Sequence, residues 1–118
     1  MDLSILDRIV IFDALQGYAP KMGNALTMRS VKSLLESIPF EEGEVKEHGI
    51  TFDAEKSNYQ WNAIDYRREF DFTDGELTIL RKVAKALDGD GRMQIGFLDT
   101  YDRIMATEPV AETENVDG

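Results

Sequence analysis

The chain of 118 residues has no cysteine, a single histidine, and far fewer basic than acidic side chains. Without thiols there can be no disulfide staple, no thiolate metal centre and no cysteine nucleophile, and the composition suits a reducing interior. His48 has no second ligand near it in sequence and follows a run of glutamates, so it reads as a residue that complements a helix C-terminus. No glycine-rich phosphate loop is present, and no nucleophile, base and orienting group recur at a recognisable spacing. Asp7, Arg8 and Asp13 interrupt the first apolar run, so neither a secretory signal nor a membrane span can be read there, and the expected setting is the cytosol.

What is present suits one small domain. An apolar content of 42% is enough for a modest core, expected over residues 1–106, with 107–118 an acidic, disordered tail. The net charge of −10 is unevenly spread. Positions 1–40 hold four acidic and four basic residues, positions 41–106 fifteen against nine, and the tail four against none. Such a field repels a phosphate backbone, so direct nucleic-acid binding is disfavoured. It keeps a small domain soluble, and it also offers an acidic surface to a basic partner.

Apolar spacing predicts a first helix from Ser4 to Leu15, with Ser4 as N-cap and Asp7 reaching back to it. Ile5, Leu6, Ile9, Phe12 and Leu15 mark its main face, and Val10 and Ile11 extend the apolar cover around most of the circumference. A helix of that kind is central or touches another chain. Gly17, Pro20 and Gly23 break the pattern, and Asn24 caps a second helix over Ala25–Ser37, with Met28, Val31, Leu34, Leu35 and Ile38 on one side. A short third helix over Glu41–His48 ends at Gly49.

The period then changes from helical to alternating. Ile50 and Phe52, Tyr59 and Trp61, and Phe70 and Phe72 each flank one residue, a two-residue repeat that predicts short strands. The expected hairpin pairs Tyr59–Asn62 with Arg68–Phe72, and the aromatics are expected to pack in the core rather than to form a stacking platform for bases.

Thr73 to Glu76 form a T-x-x-E box at the head of the next helix, with Leu77, Leu80, Val83, Ala84 and Leu87 inward. Arg81, Lys82 and Lys85 are expected on the opposite arc, followed by Arg92, as a small basic patch on an acidic molecule. The candidate partner contacts are therefore Arg81, Lys82, Lys85, Arg92 and Trp61. A turn at Asp88–Gly91 leads into a last helix over Gln94–Met105, with Phe97, Leu98, Tyr101, Ile104 and Met105 inward. That D-G-D-G turn fails as a calcium loop, because Ala86 and Phe97 fall where the first and last ligands should be. No catalytic residue, cofactor or metal site is assigned.

The stretches at 7–15 (D-R-I-V-I-F-D-A-L), 23–44, the central Q-W-N, E-F-D-F-T-D-G-E at 69–76, 79–88 and F-L-D-T-Y-D-R-I at 97–104 resemble small proteins of unknown function encoded by tailed bacteriophages and prophages. The chain departs from that pattern by a longer loop at Gly17–Gly23 and an insertion around Ala54–Tyr66. The resemblance implies a viral accessory role and supplies no catalytic residues.

The expected fold is α+β and mainly helical, with four to five helices and one short antiparallel β-hairpin. The expected function is non-enzymatic binding of another protein, in the virion or in the host cytoplasm, with no membrane and no direct nucleic-acid partner. Two alternatives are an acidic, nucleic-acid-mimicking inhibitor of a host nuclease or regulator, and a virion subunit that self-assembles through the first helix.

Overall fold

The computed structural model describes residues 1–62 and 65–107, so the tail expected over 107–118 lies outside the described residues except for Thr107. In chain order the elements are β1 (Asp2–Ser4), α1 (Ile5–Tyr18), α2 (Ala25–Ser37), α3 (Glu42–His48), β2 (Thr51–Asp53), β3 (Asn58–Gln60), β4 (Arg67–Glu69), α4 (Asp74–Gly89), a single 3-10 turn at Ile95–Phe97 and α5 (Leu98–Met105). This is the mainly helical α+β fold that the sequence predicts. Among the described residues no helix is long and apolar enough to cross a membrane.

Helix starts fall where the caps are. The Ser4 hydroxyl accepts from the Asp7 amide and the Asp7 carboxylate from the Ser4 amide, and Thr73 and Glu76 repeat this exchange at the head of α4. Asn24 accepts from the Thr27 amide at the start of α2. α1 runs one turn beyond Leu15, through Gly17 to Tyr18, and closes with the Ala19 amide donating to the Leu15 carbonyl at 3.1 Å. α3 stops at Gly49, whose φ of 62° is left-handed; a Cβ there would run into the side-chain amide of Asn62, whose backbone amide is held nearby by the His48 carbonyl. That bond, 2.9 Å long, ties the end of β3 to the end of α3.

Strand pairing departs from expectation. β2 pairs antiparallel with β3, with Phe52 opposite Tyr59, while β4 pairs antiparallel with β1, with Leu3 opposite Arg68. Tyr59–Asn62 therefore does not pair with Arg68–Phe72. The cause is non-local. Arg67 reaches Asp2 at 2.7 Å and lies 3.6 Å from Asp7, so charge pairs draw β4 to the start of the chain. Three residues ahead of a cap are too few to show alternation in sequence. The β2–β3 turn is held by the Asp53 carboxylate, which accepts from the Glu55 and Lys56 amides.

α4 packs against α1, α2 and α5. Val10, Ile11, Ala14 and Leu15 of α1 meet Leu80, Val83, Ala84 and Leu87 of α4, with Leu34, Phe97 and Ile104 completing the core. The inward face of α1 is thus centred on Val10, Ile11 and Ala14, while Leu6, Ile9 and Phe12, expected to lead it, are half-buried. Leu35 and Leu98, also expected inward, are exposed. A void of about 10 Å³ between Val10, Ala14, Leu80 and Ile104 is apolar and barely the size of one water.

One ion pair is buried beside this core. Arg8 is 1% exposed, and its guanidinium grips Glu44 with both terminal nitrogens, at 2.7 and 3.0 Å. Its remaining donors go to the Ile38 and Pro39 carbonyls, both at 2.9 Å, and its plane lies 4.5 Å from the centre of the Phe40 ring. Glu44 accepts further from the Glu41 amide and from the Tyr66 hydroxyl, with Arg68 at 3.4 Å. Burial works to raise the Glu44 carboxyl, but Arg8, the Glu41 amide and Tyr66 together overcome it and hold the group at about 2. The same hydrogen bond to Glu44, together with burial, raises the Tyr66 hydroxyl.

Two predictions follow from this packing. Leu80→Ala costs roughly 2–5 kcal/mol in urea melts, whereas the exposed Lys82→Ala changes stability by no more than about 0.5 kcal/mol; equal effects would mean the inward face of α4 is misplaced. A carboxylate whose value is depressed on folding stabilises above its ordinary value of 4.5, and that contribution is lost as the pH falls towards about 2. Glu44 supplies roughly 3 kcal/mol in this way at neutral pH. Melts at stepped pH should show a shallower acid limb in Glu44→Gln, which also costs about 3–5 kcal/mol by leaving Arg8 buried and unpaired.

Candidate functional site

The outer row of α1 is only partly covered. Leu6, Ile9, Phe12 and Gln16 follow one another at helical spacing and all line an open groove of about 1040 Å³. Phe40, Val45 and Ile50 line it as well, with Phe52, Tyr59 and Trp61 contributed by the β2–β3 hairpin and its exit, and Arg92 and Gln94 by the segment between α4 and the 3-10 turn. Phe52 and Tyr59 are a cross-strand pair with ring centres 4.9 Å apart, and Phe40 meets Tyr59 edge-on at 6.4 Å.

These aromatics are not core, contrary to the sequence expectation. Phe52 is 55% and Tyr59 39% exposed, and Trp61 is half-buried, whereas Phe70 is buried and stacked on Phe72. The physical reason is that β2 and β3 form a sheet of their own with only two strands, so no further layer covers the ring-bearing face.

Charge inside the groove is paired. Arg8 is held by Glu44, and Arg92 lies 3.6 Å from Asp13 and 3.4 Å from the Tyr18 hydroxyl. The Tyr18 contact is the main cause of the raised Arg92 value. Tyr18 in turn donates to Asp90. The other polar groups lining the groove are amides and hydroxyls, such as Gln16, Asn58, Gln94 and Thr51. Among the described residues no three His, Asp or Glu side chains converge as a metal site. Apolar walls with a few neutral hydrogen-bonding groups are suited to holding a surface rather than to activating an atom.

The expected contact residues separate. Trp61 and Arg92 both line the groove. Lys82 and Lys85 are exposed on α4 and are not among its lining residues. Arg81 is not on the exposed arc at all. It is 4% exposed, donating to the Thr107 carbonyl at 2.5 Å and to the Thr78 hydroxyl at 3.2 Å, because Thr107, just after α5, lies against that side of α4. His48 ends α3 as expected, and its ring stacks on Tyr66 at 3.8 Å between centres.

Sequence reasoning missed Leu6, Ile9, Phe12, Phe40, Phe52 and Tyr59 as site residues. The signal for the first three was the apolar cover around α1, which exceeds what one core face needs; none existed for Phe40 or the hairpin pair. The chain matches no family model, no curated protein and no solved structure.

The exposure difference generates a prediction. Phe52→Ala changes stability by less than about 1 kcal/mol, whereas Phe70→Ala costs about 3–5 kcal/mol. Denaturation followed by the emission of Trp61, the single tryptophan, measures both; a Phe52→Ala as costly as Phe70→Ala would return the hairpin aromatics to the core.

Proposed function

We propose that this chain is a non-enzymatic protein-binding module, an accessory protein of the kind that tailed bacteriophages and prophages encode, working in the host cytoplasm or in the virion. One observation carries this reading: the apolar groove between α1 and the hairpin. Exposing Phe52 and Tyr59 beside the half-buried Ile9, Phe12 and Trp61 concentrates apolar surface in one place on a chain that carries a net charge of −10. Aromatic rings left exposed on the wall of an open groove are a feature that protein contacts use. The paired charges within it give substrate chemistry no free acid or base to use.

The two other readings find less support. An acidic decoy of nucleic acid needs carboxylates free along one face, but Asp2, Asp7, Glu41 and Glu44 are each held by arginines. Self-assembly through α1 needs a protruding apolar face, but Val10, Ile11 and Ala14 are spent on the core and the outer row lies in the groove.

Affinity capture from infected cells, with the wild type and a Phe52→Ser/Tyr59→Ser variant of unchanged melting temperature as baits, tests the reading. A protein retained by the wild type and lost from the variant is the expected result. Retention of a nucleic-acid-binding protein by both baits, abolished by salt, would transfer the function to the acidic surface.

A further inference from the structure

We infer that the β2–β3 hairpin is a lid: an arm that swings on two fixed feet and lays the Phe52 and Tyr59 rings onto Leu6, Ile9 and Phe12, so that the groove alternates between open and closed. The inference deepens the protein-binding reading and rests on it for its use, because a partner entering the groove must displace the arm to reach α1.

The feet are pinned and the arm is not. At one foot Ile50 is buried and its amide donates to the Val45 carbonyl at 3.0 Å; at the other the Asn62 amide donates to the His48 carbonyl at 2.9 Å. Between them, in the stretch 51–60, every residue is exposed except the half-buried Asp53. β2 and β3 pack chiefly on each other, and Tyr59 meets the body of the fold edge-on at Phe40, with 6.4 Å between ring centres. Two strands without one buried residue have little packing to fix their angle, and segments so thinly held lie at the low-stability end of a fold. The arm nevertheless keeps its own shape, through the β2–β3 ladder and the two amides that Asp53 accepts at the turn.

The wall across the groove supplies the destination. Leu6, Ile9 and Phe12 are half-buried and line the same space as Phe52 and Tyr59. Leu6 and Phe12 also rest against the core, with Ile9 between them on the groove side. This row covers about 9 Å at 1.5 Å per helical residue, and an arm of about five residues from foot to tip reaches about 16 Å, enough to cover it. Bringing the two walls together removes water from both, which is the drive for closure. The charged groups on the lining, Arg8, Asp13 and Arg92, already stand in ion pairs, so closure buries no lone charge.

Because the chain has no cysteine, thiols for a pair of nitroxide labels can be placed freely. Glu55→Cys at the tip of the arm and Lys21→Cys beyond α1 are both exposed and both off the groove lining. Double electron–electron resonance then measures their separation in the full chain without partner, alone and with Ile9→Ser or Phe52→Ser/Tyr59→Ser added, each variant of verified melting temperature. The expected result is a closed population in the otherwise unaltered chain that stripping either wall depletes about fivefold or more. Ile9→Ser leaves the hairpin sequence untouched, so depletion there cannot come from a hairpin that fails to form. One and the same separation in all three proteins means a fixed arm and overturns the lid, and so does a population that responds to one wall alone. The measurement uses the free chain, so a fixed arm leaves the capture of a partner by the groove standing, and failed capture leaves the lid standing.

Discussion

A guanidinium taken out of water must find every one of its partners in the protein, and Arg8 finds them in three separate stretches of chain, at 38–40, 44 and 70. Glu44 on α3 takes both ends of the fork, the Ile38 and Pro39 carbonyls after α2 take the rest, and Phe40 and Phe70 lie within 4.5 and 5.3 Å of its centre. Stripped of any of these, the charge would cost several kcal/mol to keep buried. The pair is therefore less a source of net stability than a condition on where the pieces lie. With α1 in place, α3 has one position that satisfies Arg8, and Tyr66 and Arg68 then close on the same carboxylate.

That condition reaches the groove through short links. α3 ends at Gly49, Ile50 donates back to Val45, and Asn62 returns to His48, so the hairpin springs from the helix that Arg8 has anchored. The aromatic face of the hairpin stands across from α1 because both are tied to one ion pair. α1 consequently serves two sides. Val10, Ile11, Ala14 and Leu15 are committed to the core with α4, while Leu6, Ile9 and Phe12 form part of the groove lining.

The arginines have a similar double bearing on the acidic character of the molecule. Arg67 holds Asp2 and approaches Asp7, Arg103 reaches Asp2 at 2.7 Å, and Arg68 links Glu41 to Glu44. Their hydrogen bonds lower the Asp2 carboxyl below the usual range. Much of the basic charge is thus consumed inside the fold, joining β1, β4, α3 and α5. Four arginines and the four carboxylates they hold cancel, so the rest of the molecule still carries the net charge of −10 that a basic partner would meet.

Much of the helical framework was legible from residues alone. Ser4, Asn24, Thr73 and Gly49 mark helix ends by hydrogen bonds and dihedral angles that involve only neighbours three or four positions away, and so the sequence by itself determined the starts of α1, α2 and α4 and the end of α3 nearly to the residue, while α1 runs one turn past its expected end. The candidate site was legible in Trp61 and Arg92 and otherwise as a surplus: α1 had more apolar circumference than one core face consumes. Strand partners, the burial of Arg8 and Arg81, the exposure of Phe52 and Tyr59, and the groove itself were decided by tertiary structure. Each depends on which distant segments meet, as when Arg8 meets Glu44 across 36 positions or Arg67 meets Asp2 across 65. Local periodicity reports which faces are apolar; only the packed chain decides which of those faces is left uncovered.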